Sequence, residues 1–310
     1  VPNTCLQPSD VETLKQDYNS DHADAVTDTA PAQIVKTLKR KQACADELCL
    51  VDKLKDATKK QSMLKTRYSP FMPQKWKKNI NEWLSSTDIV NVLRQYEAKY
   101  PAFKFLGPSP TDYYFMETPT QCVWRDLCQF NLKAYLAAGK TKFGVVFNLD
   151  PHDLPGSHWV ALFINATTRQ IRYFDSTGEV IHKDILRFVH EVQQKARELG
   201  YDYKFDERDD QTHPLEHQYG DTECGMYVLF FIITMLRNSR DVYHAVFKNK
   251  NRKIPDKAME RLRHQYFNER TSPLVKPRMT QQGQQQTAKL SRLVAGTRKK
   301  RPKHFPRRKA

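Results

Sequence analysis

Glycine is scarce in this chain, 10 of 310 residues, which excludes collagen, glycine-rich linkers and most repeat arrays. Long apolar runs are missing too. The longest, Met226 to Leu236 with Thr234 inside it, is about half of the roughly 20 residues a bilayer span requires, so no transmembrane helix is expected. Cysteine is sparse: six in 310 residues is no disulfide scaffold. Val1 to Ser20 has no apolar h-region, so nothing marks the chain for secretion, and the cysteines are expected as reduced thiols. Their closest spacings, Cys44 to Cys49 and Cys122 to Cys128, form no CxxC and no HxxxH accompanies them, so neither a metal site nor any cofactor is expected. The chain starts at Val1 rather than Met, which leaves room for a missing N-terminus.

What is present is a polar but foldable chain. Hydrophobic residues make up 39% and charged ones 28%, while 11% aromatic is too rich for wholesale disorder. The length suffices for two modest domains. The formal charge is +16, and its distribution matters more than its sum. Between Thr271 and Ala310 stand Lys276, Arg278, Lys289, Arg292, Arg298, Lys299, Lys300, Arg301, Lys303, Arg307, Arg308 and Lys309, with no acid. Removing those 12 from the 51 basic residues leaves 39 against 35 acids, a body of only +4. The segment also carries the glutamine-rich run Gln281 to Gln286 and four prolines, so 271–310 reads as a disordered basic tail. Lys299-Lys300-Arg301-Pro302-Lys303 fits a nuclear-localisation signal, a non-specific DNA-binding arm or a plain solubiliser.

Residues 1–80 read as a polar helical arm, with Ser9 capping a first helix and Ala32 to Cys44 and Ala45 to Lys60 forming two more. Ser69-Pro70-Phe71-Met72-Pro73 breaks the chain. Asn79 to Tyr100 is again helical, the capping set Ser86-Thr87-Asp88 preceding apolar residues at helical spacing. Val123 to Ala138 can be a helix. Lys142 to Leu149, His158 to Asn165 and Gln170 to Asp175 have strand composition, and Tyr201 to Phe205 a shorter one. Lys183 to Gly200 is an amphipathic helix, Thr222 to Arg237 a strongly apolar one expected at the centre of the core, and Asp256 to Phe267 the last. Strands and helices in this order imply an α+β fold.

Two segments carry chemistry. If Asn165 to Thr168 forms the turn between the second and third strands, His158 falls directly opposite Asp175. Opposed residues on one face have Cβ atoms roughly 4.5–5.5 Å apart. An aspartate there can fix the imidazole tautomer and stabilise the imidazolium. The second segment runs from Gln218 to Gly225 into the apolar helix, with Asp221 or Thr222 as N-cap and Cys224 in the first turn. The positive end of the helix dipole stabilises a thiolate there, and a nearby imidazolium would add to this. The Cys224 N–H lacks an intrahelical partner and can face an oxyanion, with the Gln218 amide as a second donor. His152, His182, His213 and His217 have no partner placed by simple hairpin geometry and are expected at the surface. Trp76, Trp83 and Trp124 are expected to serve packing, and the Asn165-Ala166-Thr167 sequon is discounted without a secretion signal.

His158-Trp159, Phe174-Asp175-Ser176 and Gln218 six residues before Cys224-Gly225 resemble, in order and spacing, the signature of the adenain and ubiquitin-like-protein-specific protease superfamily of cysteine proteases. The resemblance spans roughly Asn81 to Phe267 and is most similar to the virion-maturation proteases of large cytoplasmic DNA viruses; Asn81 to Ile89 looks like the start of their core. It implies a papain-like-mirrored cysteine protease core with a small mixed sheet flanked by helices, plus a helical N-terminal arm. It implies Cys224 as nucleophile, His158 as general base, Asp175 as its orienter and Gln218 as oxyanion donor. Trp159 would wall a narrow groove that accepts glycine before the scissile bond. Adenain itself has Glu where Asp175 stands. The ubiquitin-like branch has Asn-Gly at the fourth and third residues before the nucleophile. Here they are Gly220-Asp221, a departure that bears on the backbone path rather than on the roles.

The expected organisation is therefore an arm (1–80), a catalytic domain (81–270) and a tail (271–310). The expected activity is endopeptidase cleavage of viral structural polyproteins after Gly-Gly or Ala-Gly during virion maturation. The protein is expected as a monomer in the virion and host cytoplasm, with a protein substrate and non-specific DNA as partners. The alternatives are a nuclear deconjugase for a SUMO-type modifier, an acyltransferase, or a basic nucleic-acid-binding structural protein.

Overall fold

In a computed structural model of the chain, residues 5–205, 215–238, 242–249 and 251–269 are described. The tail expected at 271–310 and His213 lie outside them.

Four helices come first: α1 (Pro8–Asn19), α2 (Pro31–Lys41), α3 (Glu47–Asp52) and α4 (Ala57–Arg67). Proline at the start of α1 and α2 costs no hydrogen bond, because the first helical N–H groups have no partner anyway. The cap of α1 is Gln7 in a capping box with Asp10, two residues before the expected Ser9. The side-chain caps of α3 and α4 are Asp46 and Asp56, whose carboxylates accept from first-turn N–H groups. Val11, Leu14, Ile34, Leu38, Leu50 and Val51 from these helices share one apolar cluster.

The rest is built on a mixed five-stranded sheet. After α5 (Ser86–Lys99) come β1 (Phe103–Phe105) and β2 (Ser109–Pro110), then the separate β3 (Met116–Thr118) and β4 (Gln121–Cys122) pair. The expected helix from Val123 to Ala138 is two short ones, α6 (Arg125–Cys128) and α7 (Leu132–Ala137). Next are β5 (Lys142–Asn148), β6 (Trp159–Asn165), β7 (Gln170–Phe174) and α8 (Lys183–Glu198). The last three helices among the described residues are α9 (Cys224–Arg237), α10 (Tyr243–Phe247) and α11 (Asp256–Tyr266). Strand order is β1-β5-β6-β7, with β2 also on β5; β1 and β2 run parallel to β5, while β5–β6 and β6–β7 are antiparallel. Tyr201 to Phe205 contributes only a single bridge, Lys204 to Gln170.

Both faces of the sheet are covered, which is why β6 reads as unbroken apolar sequence. Trp159, Ala161 and Phe163 point to one side, where α9, α5 and α11 pack. Val160, Leu162 and Ile164 point to the other, against Ile185, Phe188, Val189 and Val192 of α8. Helix α9 is apolar all round because it is buried all round.

Two expectations need correcting. Cys44–Cys49 and Cys122–Cys128 are disulfides, leaving only Cys5 and Cys224 free, so the cysteines are not all reduced thiols. Each pair spans a turn that brings its Cα atoms to 5.5 and 6.7 Å, within bridging reach. The hairpin register also differs: Asn165 pairs with Gln170 rather than opening the turn. Its side chain accepts from the N–H groups of Thr167 and Thr168, and Arg169 takes the left-handed conformation (φ 56°) that closes the loop. Among the described residues, no helix is long and apolar enough to cross a membrane.

Candidate active site

The register difference is two residues, so His158 and Asp175 remain on one face, now as diagonal neighbours rather than an opposed pair. The long His158 side chain spans the diagonal, and its Nε2 donates to Asp175 Oδ1 at 2.7 Å. The same oxygen accepts from Thr177 N (2.9 Å) and Thr177 Oγ1 (2.8 Å), which fixes the carboxylate before it meets the ring. With Nε2 engaged, Nδ1 is the nitrogen left free, and Cys224 is close enough to act on the ring's charge. Burial, the largest influence on the ring, opposes its charge. The bonds and charges of Asp175 and Cys224 outweigh it, and His158 is pushed up to about 10.

Cys224 is the first residue of α9 and is buried. The expected caps Asp221 and Thr222 give way to Glu223, which precedes the helix and whose carbonyl takes the N–H groups of Met226 and Tyr227. Gly225 follows because nothing larger fits: a Cβ there would lie 2.7 Å from the Leu84 Cβ. Leu84 in turn accepts from the Trp159 indole at 3.0 Å. Trp159 is buried against the core and lines a cleft of about 760 Å³ with Leu84, Ser85, Pro108, Leu154 and Gly156.

Gln218 sits on the turn that carries Asp175. Its backbone N–H bonds Ser176 O at 2.8 Å, and its side-chain Oε1 accepts from Ser176 Oγ at 2.7 Å. Its Nε2 donates to Gly220 O at 2.6 Å, leaving the second amide proton of that group. Thus His158 and Asp175 are joined directly, Cys224 acts on the same ring, and Gln218 is tied to Asp175's turn and to the loop entering Cys224.

Ser176 was no candidate in the sequence beyond its place beside Asp175, yet it links the two. His217 is not a surface residue: it is wholly buried, with Nε2 donating to Phe247 O and Nδ1 accepting from Ile254 N, both at 3.0 Å. Burial holds it below the usual histidine range. His182 caps α8, and His152 pairs with Asp112 at 2.6 Å on the cleft rim. Trp76 packs against Phe267 and Arg263. Trp83 is 38% exposed and lines the cleft with half-buried Trp124, so neither is confined to packing.

A free thiol at the head of a buried helix, an imidazole held by a carboxylate and a mixed sheet beside them form the kind of arrangement that cysteine-dependent acyl-transfer enzymes use. Residues 145–277 match the Ulp1 protease family, C-terminal catalytic domain. A thiol protease homologue from Acanthamoeba polyphaga mimivirus is 34% identical over 158 residues, 50% of this chain and 48% of that protein. A protein of African swine fever virus named SUMO-1 cysteine protease is 32% identical over 127 residues, 40% of this chain and 43% of its own length. The chain thus matches about half the length, or less, of these relatives. The crystal structure of the African swine fever virus protease shares the fold, with a TM-score of 0.55, 20% identity and coverage of 86% of this chain and 93% of that one.

Proposed function

We propose that this chain is a cysteine endopeptidase that cleaves viral structural polyproteins after Gly-Gly or Ala-Gly during virion maturation. The observation that carries the reading is the His158–Asp175 bond, with the free thiol of Cys224 acting on the same ring from the head of α9. At neutral pH the His158 ring keeps its proton, and an imidazolium beside a thiol favours the nucleophilic thiolate. The sulfur attacks the scissile carbonyl; the oxyanion is met by the Cys224 N–H and the Gln218 amide. His158 Nδ1–H then protonates the departing amine, leaving a neutral ring and an acyl-enzyme. The neutral ring next takes a proton from water, whose oxygen displaces the thiolate and completes hydrolysis. Asp175 keeps the ring oriented throughout, and Trp159 walls the groove so that only small residues reach the sulfur.

Domain limits follow the same reading: an arm (1–80), a catalytic domain (81–270) and a basic tail (271–310) that tethers the enzyme to DNA in an assembling particle. The viral sources of the two relatives support a virion and host-cytoplasm setting. A second reading, deconjugation of a SUMO-type modifier, draws on the family and on the African swine fever virus relative's name.

The test is incubation with peptides bearing Gly-Gly-X, Ala-Gly-X and a ubiquitin-like C-terminus, with cuts read by mass spectrometry. Cleavage of the short peptides, abolished in Cys224→Ala with the circular dichroism unchanged, is the expected result. Cleavage confined to the modifier selects the second reading, and activity surviving in Cys224→Ala refutes both.

A further inference from the structure

The five residues between Gln218 and Cys224 form the only covalent link between the amide and the sulfur proposed to share an oxyanion, so their path sets that geometry. Helix α11 holds this loop at two points. Asp256, its first residue, accepts from Tyr219 N at 3.0 Å and Gly220 N at 2.9 Å with one oxygen, and from Tyr227 Oη at 2.9 Å with the other. The carboxylate could have capped its own helix, yet α11 has no side-chain cap bond. Two turns on, and on the same face, Arg263 is wholly buried over the Trp76 ring. Its Nη2 donates to Thr222 O at 3.4 Å and lies 3.9 Å from Glu223 Oε1. Glu223 closes back on Thr222, accepting from its N–H at 3.2 Å and its hydroxyl at 2.7 Å.

Gly220 is the hinge of this arrangement. Its N–H goes to Asp256 and its carbonyl receives the Gln218 amide, so the carboxylate that fixes one side of the residue fixes the amide on the other. A Cβ at Gly220 would lie 3.0 Å from Glu223 Oε2 and 3.5 Å from Asp256 Oδ2, so both carboxylates close on this residue. A charged acceptor holding two adjacent backbone donors is stronger than neutral pairs, and misplacing an oxyanion donor by about 1 Å costs up to about 10²-fold in rate.

We infer that Asp256 is a positioning residue for the oxyanion site, with Arg263 securing the far end of the same loop. Asp256 touches no reacting atom; it places the Gln218 amide and the entry to α9. The inference rests on the proposed role of Cys224. It also accounts for Gly220-Asp221 standing where the ubiquitin-like branch has Asn-Gly, since here the loop is held from α11.

The experiment compares the full chain with Asp256→Ala and Asp256→Asn in two assays. One measures kcat and KM on a Gly-Gly reporter peptide. The other measures site-resolved alkylation of Cys224 by iodoacetamide, a displacement that develops no oxyanion. We expect kcat to fall about 30-fold in Asp256→Ala and about fivefold in Asp256→Asn, with KM and alkylation each within about threefold of wild type. If Asp256→Ala does not fold, Asp256→Asn carries the comparison. Wild-type turnover in Asp256→Asn, or alkylation falling in step with kcat, overturns the inference. A wild-type protein fully alkylated at Cys224 that still cleaves would instead remove the proposed function beneath it.

Discussion

The His158 ring lies where burial alone would strip its proton, and two neighbours return it. Replacing Asp175 by Asn removes the stronger of them, so the ring in Asp175→Asn should titrate well below 10, read from its Cε1–H resonance. kcat should fall on the order of 10²–10⁴-fold, as when other orienting carboxylates are neutralised. Wild-type titration in that variant would mean Asp175 does not set the ring's charge. The linked stability has a definite sign. Because the folded value is raised above the ordinary 6.5, the contribution is complete below pH 6.5 and is lost as pH rises through about 10. Urea midpoints should therefore drop more between pH 6.5 and 10 in wild type than in His158→Gln. At this scale His158, Asp175, Gln218 and Cys224 could be proposed from the sequence because each is a chemically distinctive residue near a strand end or helix start. Ser176, His217 and Asp256 were not: a serine, a histidine and an aspartate acquire meaning only once distant segments meet.

Strands β5, β6 and β7 and helices α8, α9 and α11 fall within a few residues of where periodicity puts them, because each buries a continuous apolar face. Register was less legible. The loop length chosen for the hairpin put Asn165 in the turn, whereas its side chain caps the turn from the last strand position. The shift is even, so the faces survive and the His–Asp pair with them; an odd slip would have turned His158 away. The start of α9 shows what composition could not: Gly225 is required by a helix end pressed against Leu84. Gly225→Ala should cost about 1–3 kcal/mol of stability and displace the Leu84 carbonyl from the Trp159 indole. A urea midpoint and Trp159 indole N–H shift equal to wild type would show that the helix end has room to spare.

Over the whole molecule, helices α1 to α4 have their own apolar cluster, and the chain from Pro70 to Met72 bonds Asn268 just beyond α11, with Met72 N to Asn268 O at 2.8 Å and Asn268 N to Pro70 O at 2.7 Å. The helical character of residues 1–80 was legible from polar periodicity. The bond to Asn268 was not, because nothing local in a Ser-Pro-Phe-Met-Pro break names a partner some two hundred residues away. The uneven charge, by contrast, is a property of sequence alone. A body of +4 attached to twelve cations without an acid should bind duplex DNA almost wholly through the latter. Neutralising half as many phosphates as there are cations gives a slope of log affinity against log salt of about −5, at about −0.9 per phosphate. Removing residues 271–310 should bring that slope close to zero in a fluorescence-anisotropy titration against sodium chloride, while peptide cleavage by the remaining chain persists. Equal slopes for the two proteins would place DNA binding on the body and leave the tail as a solubiliser.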